Sequence, residues 1–86
     1  MAKKDSTELK ILFGKNVKRI RTLKGYTLLK VDYGCELNES NISKIENGKS
    51  DVQLSTLVEL AKGLGVEPKE LLDFDFGVNF KKEEEE

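Results

Sequence analysis

One run of ten residues, Ser40-Asn-Ile-Ser-Lys-Ile-Glu-Asn-Gly-Lys49, constrains the fold more than any other part of the chain. Ile42 and Ile45 stand three apart, so on a helix they share one face and can be buried together. Ser40, Asn41, Ser43, Lys44 and Asn47 line the remaining faces with short hydrogen-bonding groups and one cation. Gly48 stops the helix. A short helix that is apolar on one side and hydrogen-bonding on the other suits insertion into a DNA major groove.

The rest of the chain supplies a helical scaffold for this segment. Leu9, Leu12, Phe13, Val17 and Ile20 recur at helical spacing and predict a first helix from about Glu8 to Lys24. Gly25 suits the left-handed position just past its end. Thr27 is a good N-cap for a second helix, about 28–34, and Asn38 for a third, 39–47. Leu54, Leu57, Val58, Ala61 and Leu64 predict a fourth, stopped by Gly65. Glu67-Pro68 opens a short fifth, because proline is favoured in the first helical turn. Residues 1–7 are polar and expected to fray. The end of the chain changes character: Phe74, Phe76, Val78 and Phe80 alternate with polar residues at period two, a strand signal. A single strand has no partner inside an all-helical body. It either lies across the helices or pairs with the same strand of a second subunit. Lys81, Lys82 and four glutamates follow and are expected to be disordered.

Four stretches in this order resemble a lambda-repressor-like helix-turn-helix domain of the Cro/repressor (XRE) family. They are Val17-Lys-Arg-Ile-Arg21 with Lys24-Gly-Tyr-Thr27; Ile42-Ser-Lys-Ile-Glu-Asn-Gly-Lys49; Leu54-Ser-Thr-Leu57 with Leu60-Ala-Lys-Gly-Leu-Gly-Val66; and Glu70-Leu-Leu72. The resemblance covers residues 12–72 without a gap. It implies an all-α, five-helix DNA-binding domain at 8–72. Helix 2 crosses the backbone, helix 3 enters the major groove, and residues 73–86 form a tail.

Carried over position by position, the resemblance places Glu39, Ser40 and Lys44 where family members read bases, with Asn41 beside them. An ammonium at Lys44 suits the O6 and N7 acceptors of guanine. The Glu39 carboxylate accepts from cytosine N4, filters sequences by repulsion, or answers the helix dipole. Phosphate contacts are expected from Thr27, Ser43, Asn47 and Lys49. The resemblance also implies an ion pair between Arg21 and Glu46 that ties helix 1 to the end of helix 3. Phe74, Phe76, Val78 and Phe80 are the candidate dimerisation residues.

Three positions depart from the family pattern. Leu28 stands where a phosphate-touching glutamine is usual and can instead pack on Tyr26 or a thymine methyl. Asp32 stands where alanine is usual. A buried unpaired carboxylate would cost several kcal/mol, so it must reach solvent, pair, or accept backbone N–H groups, and the start of helix 3 is the preferred donor. Glu36 replaces the usual turn glycine, so the turn is either strained or differently shaped. Cys35 is expected to act as a small apolar side chain.

Composition narrows the function classes. The net charge of −1 hides a split: residues 1–50 hold eleven Lys or Arg against six Asp or Glu, whereas residues 51–86 hold four against ten. The basic part contains the proposed reader, and charge distribution governs phosphate contact more than the sum does. There is no histidine, no Gly-rich phosphate loop and no metal-ligand spacing, so neither catalysis nor a cofactor is expected. A single cysteine excludes an intrachain disulfide. No apolar stretch approaches 18 residues, so no membrane span is expected and the expected compartment is the cytoplasm. Two function classes remain. One is a homodimeric regulator, most simply a repressor, that reads a near-palindromic site on double-stranded DNA. The other is a protein-interaction or antitoxin-like module whose apolar tail docks a partner.

Overall fold

The computed structural model describes residues 6–77, and they form five α-helices: α1 (Ser6–Leu23), α2 (Leu28–Tyr33), α3 (Glu39–Glu46), α4 (Leu54–Leu64) and α5 (Pro68–Leu71). The helix starts follow their caps. Thr27 Oγ1 accepts the Lys30 N–H at 3.1 Å, and the Asn38 side chain accepts the Asn41 N–H at 2.8 Å. Each bond satisfies one of the amides that a helix start leaves open. A reciprocal capping box between Glu67 and Glu70 starts α5, with Pro68 in its first turn. The first helix begins two residues earlier than its apolar period suggested, because polar first-turn residues carry no periodic signal.

Every helix contributes to one core. Phe13, Val17 and Ile20 come from α1, Val31 from α2, Ile42 and Ile45 from α3, Leu60, Ala61 and Leu64 from α4, and Leu71 from α5. Fully burying one such aliphatic side chain contributes about 1.5–3 kcal/mol. The two isoleucines therefore hold α3 by its apolar face and leave its polar faces outward. Asn16 is a buried polar residue within the apolar face of α1. Its Nδ2 donates to the carbonyls of Glu70 (3.1 Å) and Leu71 (3.0 Å), and its Oδ1 accepts from the Arg19 guanidinium. It thereby closes the end of α5: the Leu71 carbonyl takes its bond from Asn16, and the Glu70 carbonyl accepts from Asn16 as well as from the Asp73 N–H.

The tail departs from the strand expectation. Among the described residues there is no strand. Phe74 packs edge-on against Phe13 (ring centroids 6.5 Å apart, 62° between planes), and Phe76 stacks on Phe74 at 4.2 Å. The Gly77 N–H closes a turn on Asp75 Oδ1 at 2.9 Å. The helical body offers no backbone ladder, so residues 73–77 follow the aromatic contact to Phe13 instead. Val78 and Phe80 lie outside the described residues.

Candidate nucleic-acid interface

The segment from α2 to α3 is held from behind by one side chain. The Arg21 guanidinium grips Glu46 through two hydrogen bonds, Nε to Oε2 at 2.6 Å and Nη2 to Oε1 at 3.0 Å. Its remaining Nη1 donates to the Tyr26 carbonyl at 2.9 Å. Arg21 thus fixes the last residue of α3 and the residue just before the α2 cap. The pair is largely shielded, with side-chain exposures of 15% for Arg21 and 5% for Glu46. The hydrogen bond to Glu46 raises the Arg21 pKa above its ordinary value, against the opposing effect of burial. The fork geometry matches a carboxylate in a way that a lysine cannot reproduce.

At its C-terminal end α3 closes with the Lys49 N–H on the Lys44 carbonyl (2.9 Å) and the Gly48 N–H on the Ile45 carbonyl (3.1 Å), with Gly48 at φ +73°. This is a Schellman arrangement. It turns the chain so that Lys49 leaves the helix exposed.

Glu39, Ser40, Asn41, Lys44 and Asn47 are all exposed, and Ser43 is half-buried. Lys44 has no carboxylate partner among the described residues. Asn47 Nδ2 lies 3.4 Å from Ser43 Oγ, so these two form a linked pair on one side of the helix. Thr27 is exposed at the start of α2, where its hydroxyl already accepts the Lys30 amide. The side chains named from sequence as base readers therefore share the outer surface of one short helix. Thr27 sits apart, on α2.

The departures from the family pattern have local explanations. Leu28 is half-buried and packs against the core, as Tyr26 does. The ammonium groups of Lys24 and Lys30 lie over the Tyr26 ring at 5.6 and 5.4 Å, within cation–π range. Asp32 is half-buried, and its carboxylate accepts no hydrogen bond from the start of α3 among the described residues; Asn38 supplies that cap instead. Reaching solvent meets the requirement. Glu36 does not adopt a left-handed conformation: among the described residues only glycines have positive φ. The turn takes another shape, with Gly34 ending α2 at φ −92° and the Glu36 N–H donating to Glu59 Oε1 at 3.0 Å.

Cys35 lines the inside of this turn. Its Sγ donates to the Val31 carbonyl at 3.3 Å and accepts the Leu37 N–H at 3.4 Å, and burial pushes its thiol pKa up. A raised pKa disfavours the reactive thiolate.

Two residues that hold this frame carried different signals in the sequence. Glu59 pairs with Lys62 (3.4 Å) on α4 while anchoring the turn, and no local pattern links position 59 to position 36. Asn16 does interrupt the apolar face of helix 1 between Phe13 and Val17, and a polar residue there signals a buried hydrogen-bonding role.

A short helix docked by its apolar face, preceded by a capped helix and joined to it by a tight turn, defines a helix-turn-helix protein. Residues 17–71 match the family model HTH_3, Helix-turn-helix. The control protein C.BamHI of Bacillus amyloliquefaciens is 39% identical over 70 residues, covering 80% of this chain and 86% of that protein. The restriction-modification controller protein C.AhdI from Aeromonas hydrophila has a similar structure. Its TM-score is 0.74 at 29% identity, over 79% of this chain and 99% of that one. The controller protein C.Esp1396I, solved as a tetramer in complex with its natural 35 base-pair operator, aligns at TM-score 0.65. It is also 29% identical, over 76% of this chain and 96% of that one. The chain belongs to the XRE-type helix-turn-helix family and is a DNA-binding transcriptional regulator of the controller-protein type.

Proposed function

We propose that this regulator reads a near-palindromic operator as a homodimer, with α3 of each subunit in a major groove, and controls transcription by occupying a promoter. The observation that carries the reading is the outer surface of α3. Ser40, Asn41 and Lys44 are exposed together on a helix whose opposite face is locked to the core by Ile42 and Ile45. Lys44 reads guanine, Ser40 and Asn41 read adjacent base edges, and Glu39 filters neighbouring positions. Thr27, Ser43, Asn47 and Lys49 hold phosphates and set register without reading sequence.

Two further points support the dimer. One small core gives limited stability, and Leu54, Val58 and Leu72 stay exposed on α4 and at the end of α5. The C.Esp1396I structure holds a tetramer on its operator. Likeness to controller proteins of restriction-modification systems supports a promoter of that kind as the target.

The test is selection of bound sequences from a random duplex pool at physiological salt. A two-fold symmetric motif, with half-sites about 34 Å apart, is the expected result. A pool without enrichment, from protein verified as folded, would remove the reading.

A further inference from the structure

Gly14 lies in the middle of α1, where a glycine is unfavourable relative to alanine. Its surroundings account for it. A β-carbon at this position would lie 2.7 Å from the Glu46 carbonyl oxygen and 2.9 Å from the Glu46 carbonyl carbon, and closer still to the Ile45 carbonyl oxygen. All three are backbone atoms of the last turn of α3, so no flexible side chain can move aside. One turn earlier on α1 the contact continues. A β-carbon on Gly48 would meet Ile11 at 2.8 Å (Cγ1) and 3.0 Å (Cα). The C-terminal turn of α3 thus rests on the bare backbone of α1, and the Arg21–Glu46 fork is a third attachment of the same end. The other end of α3 is held separately, through the buried Ile42 and, in the preceding turn, the Glu36–Glu59 hydrogen bond.

We propose that Gly14 is a positioning residue for DNA reading: by bringing no side chain, it sets the depth at which α3 sits on α1 and hence the angle at which α3 presents Ser40, Asn41 and Lys44. This rests on the reading of α3 as the base-contacting helix. Adding one methyl group at position 14 lifts the C-terminal end of α3 while its N-terminal end stays anchored, so the helix tilts. Base contacts depend on that angle, whereas attraction to phosphates does not depend on it closely. Tilt and general instability therefore leave different signatures. Tilt lowers binding to the operator and spares binding to unrelated duplex. Instability lowers both in the same proportion.

The experiment compares wild type, Gly14→Ala and a core control, Leu71→Val, whose site on α5 is not part of the α1–α3 contact. Each is titrated with the selected operator and with a scrambled duplex, at a temperature where circular dichroism shows the protein folded. Gly14→Ala is expected to lower the ratio of operator to scrambled affinity by about 5- to 150-fold, the loss of one or more base contacts. The slope of affinity with salt stays unchanged, and Leu71→Val leaves the ratio intact. A wild-type ratio in folded Gly14→Ala overturns the proposal while leaving the DNA reading standing. Absence of any operator preference in the wild type overturns both. Should Gly14→Ala fail to fold, Gly48→Ala enters the same contact from the other side: its β-carbon would meet Ile11 Cγ1 and the Ile11 backbone, and alanine at this positive φ adds backbone strain. That strain lowers both affinities alike, so a fall in the same ratio supports the proposal, and an unchanged ratio overturns it.

Discussion

The Arg21 guanidinium and the Glu46 carboxylate meet in a two-point contact, 2.6 and 3.0 Å long, that joins the last turn of α1 to the last residue of α3. Because Arg21 also donates to the Tyr26 carbonyl, this one cation sets the end of α3 relative to the start of α2. Removing either partner leaves the other shielded and uncompensated. Glu46→Ala is expected to cost about 3 kcal/mol, enough in a domain of this size to lower the Tm by more than roughly 10 °C. Arg21→Lys should also destabilise, because an ammonium cannot present the guanidinium fork. The apolar pair Arg21→Met with Glu46→Leu should recover part of the loss. Thermal melts followed at 222 nm check all three, and an unchanged Tm for Glu46→Ala would refute the structural weight given to the pair.

Lys44 distinguishes base reading from phosphate holding. It is exposed and has no carboxylate partner among the described residues, so its ammonium is free to contact DNA. Lys44→Ala is expected to cost about 1–3 kcal/mol on the operator and to relax preference at one position, a guanine. Operators substituted base by base provide the measurement. A uniform loss across all sequences would make Lys44 a phosphate ligand instead.

How much of this was visible in the sequence differs between elements, for physical reasons. The five helices, the capping roles of Thr27 and Asn38, and the glycine stops at 25, 48 and 65 are local: short-range hydrogen bonds and periodicity encode them. The Phe74–Phe76 segment was not legible, because period-two alternation describes equally well a strand and a pair of aromatic rings that fold back onto Phe13. The hydrogen bond from Glu36 to Glu59 and the closeness of Gly14 to the α3 carbonyls were also hidden. Both join residues more than twenty positions apart, through one carboxylate or through the absence of a side chain. The proposed reading surface is intermediate. The resemblance points to its side chains, and the structure shows which of them are exposed and how α3 is held.

Cys35 gives the fold a pH dependence with a definite sign. Burial raises its pKa in the folded state, so the unfolded chain loses the thiol proton first as pH rises. The associated stability is complete below the ordinary thiol pKa of about 8.5 and is lost as pH climbs through the folded value. Nearby Asp32 and Glu59 act in the same direction, and Lys62 opposes them. Urea denaturation between about pH 7 and 9.5 should show falling stability in the wild type and a flatter profile in Cys35→Ala. Parallel profiles would show that the thiolate plays no part.

Asn16 should prove one of the most costly polar side chains to remove. Its carboxamide is buried and uses both ends, donating to two α5 carbonyls and accepting from Arg19. Asn16→Ala strands the Leu71 carbonyl and leaves the Glu70 carbonyl only its Asp73 N–H, an effect of about 1–3 kcal/mol. Asn16→Asp is expected to be worse, because it replaces the donor with a negative charge facing carbonyl oxygens. Equilibrium unfolding of the two variants gives the comparison. Equal stability of Asn16→Asp and wild type would mean that α5 is held by Leu71 alone.

The proposed dimer makes a prediction about Leu54, the first residue of α4, which is 77% exposed although it is apolar. It borders a groove of about 320 Å³ lined by Leu9, Phe13, Leu57, Leu72 and Phe74 among others, and Leu72 is exposed beside it. A second subunit covering this edge would remove apolar surface from water on both copies. Leu54→Asp places a charge there without disturbing the buried core. It is expected to keep the helical spectrum and the Tm of an isolated domain, to sediment as a monomer, and to bind a half-site as well as wild type does. Affinity for the full operator should fall, because the two half-sites would no longer be gripped by one linked pair of readers. A variant that still sediments as a dimer would move the interface elsewhere, and deletion of residues 73–86 would then be the next variant to sediment.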